Sequence, residues 1–147
     1  MSPVTAIKAW LNTWWLRFPE PRELSMLWSV MYLVAMVSGV FALTLPPRSV
    51  IGAIGDAAIS LIGIFLLVGA LVAAVGGARD YWRLERVGVA AQGAAWAMYL
   101  LTVIAMQVAG DGSRFLQMGV IVTALCALTA RYLLIRVYTY KPDTTRG

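Results

Sequence analysis

The sequence contains no histidine and a single cysteine, Cys126. One chain therefore cannot form an intramolecular disulfide or a histidine-ligated metal or haem site, and no histidine is available as a general acid or base. Charged residues are scarce as well, at 13% of 147 residues, which is about half the fraction typical of a soluble domain. Cys126 lies in an apolar run, where we expect it to be a small packing residue.

Sequence patterns typical of catalytic sites are also lacking. No apolar stretch contains paired carboxylates or a metal-ligand cluster, and no glycine-rich loop precedes the lysine and serine or threonine that cradle phosphate. The sequence therefore predicts neither an enzyme nor a bound cofactor. The net charge of +5 is expected to serve contact with anionic lipid rather than nucleic acid.

Hydrophobic residues, at 61% of the chain, dominate the composition. A membrane span needs about 20 apolar residues to cross about 30 Å of hydrocarbon. Four stretches meet that length, and short turns make each antiparallel to the next. The sequence predicts an all-α polytopic membrane protein, a single domain over 1–147 with two antiparallel hairpins, whose spans cover 24–45, 54–78, 87–109 and 115–137.

The two ends of the chain differ from these spans. Residues 3–18 are too short and too polar to cross a bilayer, and their apolar positions recur at helical spacing. We expect an amphipathic helix in the membrane interface, held there by Trp10, Trp14 and Trp15. This helix is either a simple anchor for the first span or a segment that disturbs the membrane. Residues 138–147 are predicted to form a cytoplasmic tail.

The densest group of charges inside the hydrophobic part runs from Arg79 to Arg86. We expect it to form a solvated turn at the membrane surface, in which Asp80 and Glu85 pair with neighbouring arginines and Trp82 anchors the interface. Lysine and arginine are concentrated in this turn and near both ends of the chain, whereas the two other turns hold one cation each. This asymmetry predicts that both termini and the central turn lie in the cytoplasm.

Small residues form a face on the second span. Gly69, Ala73 and Gly77 recur every four residues, a spacing that lets helix backbones approach closely. The face packs either against another helix of the same chain or against a second copy, and the sequence favours neither.

Two charged residues fall within predicted spans. Asp56 lies near the start of the second span, where we expect it at the interface; the alternative is a proton or ion site. Arg131 lies in the last third of the fourth span. We expect it to extend toward the surface near Arg136, and the alternative is a pore-lining role.

The four-span layout with almost no loops, together with the segment Gly77-Ala78-Arg79-Asp80-Tyr81-Trp82-Arg83-Leu84-Glu85-Arg86-Val87-Gly88, resembles the small holin-like lysis membrane proteins of actinobacterial phages. The resemblance implies a location in the host inner membrane. It also implies oligomerisation, followed by a timed depolarisation or lesion that lets an endolysin act. No individual functional residue carries over from this family.

The leading functional hypothesis is therefore a homo-oligomer that permeabilises or depolarises the bilayer. A second hypothesis is a non-catalytic membrane factor with a membrane-protein partner, such as a superinfection-exclusion or immunity protein or a subunit of a larger complex. A third is a small ion-coupled transporter, for which Asp56 is the candidate acid.

Overall fold

A computed structural model describes residues 22–79, 81–110 and 112–138, and this part of the chain contains helices and no strand. Its helices are α1 (Arg22–Thr44), α2 (Arg48–Ile54), α3 (Asp56–Ala78), α4 (Trp82–Val108) and α5 (Phe115–Tyr138). Four of them, all except α2, are long and apolar enough to cross a membrane, which confirms the prediction of an all-α polytopic fold. The predicted interfacial helix over 3–18, with Trp10, Trp14 and Trp15, and the tail beyond Tyr138 lie outside the described residues.

The connection between the first two spans differs from the prediction of a short turn. Residues Arg48–Ile54 form helix α2, whose Val50 is buried with Ile59 of α3 and Met106 of α4. Gly55 separates α2 from α3 with φ at 82°, a left-handed conformation that glycine adopts without strain. Helix α2 is apolar but too short to cross a bilayer. The tight break at Gly55 allows it to cover the end of the bundle.

The central turn is also shorter than expected. Helix α3 ends at Ala78, and α4 starts at Trp82 rather than near Val87. The backbone N–H groups of Leu84 and Glu85 both donate to the carbonyl of Tyr81, which starts the helix. Glu85 therefore lies in the first turn of helix α4 and not in a loop.

Helix α3 packs against both α1 and α4, and α5 packs against α4. The α3–α4 pair has the most extensive contact, so the central hairpin is the core of the molecule. One of its closest approaches is at Gly88, which faces α3 so tightly that an added Cβ would lie 2.8 Å from the Cα of Ala73. Gly69 and Gly76 make similarly close approaches to α4, and the equivalent contact between α1 and α3 is at Gly39.

The outer helices are less enclosed than the central hairpin. Only 22% of the span residues of α1 and of α5 are buried, against 39% for α3 and 33% for α4. Large apolar side chains on the outer faces are exposed, including Leu33, Leu71, Leu101 and Leu116. These faces suit lipid or further protein.

The close approach at Gly88 generates a test with a matched control in the same helix. Gly88→Ala should weaken the bundle because the new Cβ meets backbone atoms of Ala73, which cannot rotate away. Gly93→Ala should be neutral or stabilising by up to about 1 kcal/mol, since nothing lies within 4 Å and alanine favours a helix. Thermal unfolding of both variants in detergent measures the difference; equal stability would contradict the α3–α4 packing.

Candidate functional site

The candidate site is built around Glu85, whose side chain is completely buried. The expectation of a solvated carboxylate in the central turn was wrong, because Glu85 lies in a helix that packs directly on α3. The missing Cβ of Gly76 leaves room for the Glu85 backbone, and Gly77 lies beside the carboxylate, where an added Cβ would be 3.4 Å from Oε1. Two successive glycines thus let a charged side chain enter the core.

Among the described residues, a single oxygen of Glu85 accepts the hydrogen bonds to this carboxylate. Oε1 accepts from the Tyr32 hydroxyl of α1 at 2.7 Å, and from Arg131 of α5 at 2.8 Å (Nε) and 2.6 Å (Nη2). We call these three residues, Tyr32, Glu85 and Arg131, the Glu85 clasp. It joins α1, α4 and α5 at the end of the bundle formed by the central turn, which we call the central-turn end.

Arg131 does not extend toward the surface as the sequence suggested. Its guanidinium turns into the bundle, where it forms the ion pair with Glu85 and lies 5.4 Å from the ring centre of Trp28. A charge inside the apolar layer is costly, and pairing with an opposite charge, with hydrogen bonds and an aromatic face reduces that cost. The inward direction of Arg131 is explained by this partner, which sequence spacing alone does not reveal.

Two polar atoms beside the clasp have no hydrogen-bond partner among the described residues. They are Oε2 of Glu85 and the indole Nε1 of Trp28, and both are buried. Buried polar groups of proteins are usually paired, so an acceptor and a donor left open in one cluster make it less stable than a fully satisfied one. The clasp therefore combines a strong ion pair with an incomplete hydrogen-bond set.

Further polar contacts join α4 to α5 or to the residue before it, one beside the clasp and two near the opposite end of α4. Arg86 donates to the Tyr132 hydroxyl at 3.4 Å and lies 5.2 Å from the ring centre, Gln117 donates to the Tyr99 hydroxyl, and the Arg114 backbone donates to Gln107 Oε1 at 2.7 Å. From Glu85 to Gln107 the distance along α4 is about 33 Å, close to the thickness of the hydrocarbon layer. We call this set the polar seam; its residues are Glu85, Arg86, Tyr99 and Gln107 of α4 with Arg131, Tyr132, Gln117 and the backbone of Arg114.

The spacing of polar residues on α4 carries a signal that sequence reasoning missed. Glu85, Gln92 and Tyr99 recur every seven residues, which puts them on one side of the helix, and Gln92 is buried as well. Such a row on a span of small apolar residues indicates a polar helix contact. It could have been found by testing the third span for a seven-residue polar period.

A cavity of about 350 Å³ lies at the other end of the bundle, between α1, α3 and α4. Phe41, Ile62, Leu66 and Trp96 line it, with Ser38 and Tyr99 among its few polar groups. Its volume is at the lower limit for small-molecule sites. The cavity shares Tyr99 with the polar seam, so the two features adjoin.

The other residues singled out from the sequence are spread over the fold. Gly69 and Ala73 are buried within the chain, close to Ala91 and Gly88 of α4, and Gly77 adjoins Glu85. Trp82 is half-buried and packs against the cluster that contains Trp28 and Tyr32. Asp56 is exposed as the first residue of α3, where its charge favours the helix N-terminus, and Cys126 is exposed rather than packed inside.

The clasp predicts a strongly non-additive effect on stability. Glu85→Gln leaves Arg131 without its counter-charge, and Arg131→Met leaves Glu85 alone, so each should cost about 3–5 kcal/mol. The double variant removes both charges and should recover most of that loss. Unfolding by sodium dodecyl sulfate measures all four proteins; a double variant as unstable as the sum of the single variants would contradict the pairing.

The same geometry distinguishes the two single variants. A lone carboxyl can become neutral by binding a proton, whereas a guanidinium stays charged, so Glu85→Gln should be the more damaging of the two. Tyr32→Phe removes one hydrogen bond and no charge, and its cost should be smaller, about 1.5–3 kcal/mol.

Comparisons with protein-family models, with curated proteins and with solved structures find no match for this chain. Function is therefore argued from the site itself.

Proposed function

We propose that this protein acts in a bacterial inner membrane as a holin-like factor, whose copies assemble and permeabilise or depolarise the bilayer. The observation that carries the proposal is the polar seam. It places hydrogen-bonded groups near both ends of one helix pair, from Glu85 to Gln107, about 33 Å apart along α4.

The seam supports the proposal because of what α4 and α5 would present if they separated. Each would have one polar side, from residues such as Tyr99 and Gln117, and one side of exposed apolar residues such as Leu101 and Leu116. Helices with two such sides can face lipid and water at once, which is the requirement for lining an aqueous lesion. In the closed chain these polar groups satisfy each other instead.

Helix α5 is the element suited to such a movement. It packs on α4 less extensively than α3 does, and 22% of its span residues are buried. Because its outer face is already exposed, a second copy could replace the contacts that α5 gives up. Under this proposal both termini and the central turn face the cytoplasm, in accord with the distribution of lysine and arginine.

Ion-coupled transport is a second candidate, favoured by one observation. Glu85 supplies a buried carboxylate inside the bundle, which Asp56, exposed at the end of α3, does not. An acid of this kind can couple a proton to a substrate. The ion pair with Arg131 argues against transport, because it already neutralises the charge of Glu85. Transport would be favoured by a saturable, gradient-driven flux in proteoliposomes whose membrane is otherwise sealed.

The permeabilising function predicts a defined response during induced expression in bacteria. The membrane potential should collapse after a delay, and release of a cytoplasmic reporter, followed in parallel, separates large lesions from small pores. A steady potential with abundant, inserted protein would contradict the proposal and turn attention to a partner-binding factor.

A double variant tests whether the polar seam lines the aqueous lesion. Tyr99→Phe with Gln117→Leu removes both partners of one contact, which should leave the closed bundle nearly as stable. A lesion lined by apolar groups at this level should be wetted less, with reporter release or ion flux reduced roughly tenfold. The control is Thr123→Val, which removes a hydroxyl from the exposed face of α5; equal activity of all three proteins would exclude the seam as the lining.

A further inference from the structure

The contacts at Glu85 Oε1 point to a conformational device. We infer that the Glu85 clasp is the restraint that holds α5 on α4, and that its opening is the step that exposes the polar seam. The inference rests on the proposed function for its purpose, but the restraint itself is a property of the bundle that can be measured separately.

The first argument is the arrangement of the hydrogen bonds. One oxygen atom connects α1 through Tyr32 and α5 through Arg131, and it is the shared acceptor of the hydrogen bonds from both helices. Loss of the Glu85 charge therefore loosens both outer helices at once. A contact with two independent acceptors would release them separately.

The second argument is the position of the clasp relative to the apolar packing. Leu128 and Ile135 of α5 are buried in the same cluster as Trp28 and Tyr32, at the central-turn end. Toward the opposite end, the cavity between α1, α3 and α4 leaves the packing open. The clasp thus lies at the end at which α1 meets α5, beside the apolar cluster that the two helices share.

The third argument is the energetic balance of the site. A buried ion pair is strongly destabilised when one partner is lost, yet the intact pair gains little over apolar packing of the same volume. Oε2 of Glu85 and Nε1 of Trp28 also lack partners among the described residues. Such a contact favours two states, one in which Glu85 and Arg131 are paired and one in which α5 has moved away. Intermediate states that leave one charge buried without its partner are costly.

The test measures opening directly, without relying on permeabilisation. Leu128→Cys is introduced into a Cys126→Ala chain, so that the reporting thiol lies in the core beneath Arg131. The full-length protein is reconstituted in liposomes in both orientations and treated with a membrane-impermeant maleimide. Ser113→Cys, in the exposed turn before α5, reports that the reagent reaches the protein.

Labelling at position 128 should be slow in this parent chain. Glu85→Gln or Arg131→Met should accelerate it about a hundredfold, since the expected loss of stability favours the open state, and the double variant should return it close to the parent rate. Arg136→Met is the matched control: it removes an exposed arginine from the same helix and should leave labelling slow. If a single variant does not accumulate, Tyr32→Phe should still give a smaller acceleration.

The outcomes separate the two proposals. Acceleration in the single variants, reversed in the double variant and accompanied by earlier depolarisation in cells, supports both the clasp and the permeabilising function. The same labelling pattern with a steady membrane potential in every variant supports the clasp and overturns the function. Labelling that is unchanged, or that rises equally in Arg136→Met, overturns the clasp whatever the potential does.

Discussion

The bundle has to keep a carboxylate and a guanidinium buried in its interior. It meets this constraint by directing Arg131 of α5 and Tyr32 of α1 onto one oxygen of Glu85, beside two glycines of α3 that leave the space. All four long helices therefore meet at one point. Neither charge could remain in the bundle without the other, so the position of α5 depends on the pair.

The remaining architecture follows from close backbone contact in the central hairpin. In lipid, apolar side chains gain little by leaving their solvent, and helices associate through fitted packing and hydrogen bonds instead. The close approach of Gly88 to Ala73 provides the fitted packing, and the polar seam between α4 and α5 provides the hydrogen bonds. Helices α3 and α4 thus form the most extensive contact, whereas α5 is attached through a smaller interface that includes polar groups, which is the physical basis for proposing that α5 is the helix that moves.

Much of the architecture could be predicted because it depends on local chain properties. Apolar stretches of span length, the prolines near Leu45 and the charges around Arg83 determine four helices and their order, and four helices long and apolar enough to cross a membrane were confirmed. The short helix over Arg48–Ile54 and the early start of α4 at Trp82 were missed. Both depend on burial against other helices, which hydropathy along the chain does not report. The interfacial helix over 3–18 stays a prediction.

The sequence by itself determined the class of protein, because lipid as a solvent demands long apolar helices and few charges, and both are visible in composition. It also determined which residues could pack closely, through the spacing of Gly69 and Ala73. Only the tertiary structure decided that Glu85 and Arg131, 46 residues apart, form a pair. A charge near a span end looks the same in sequence whether it faces water or the bundle. The direction of the charged side chain depends on the rotation of its helix about the helix axis, and that rotation depends on which helices pack together.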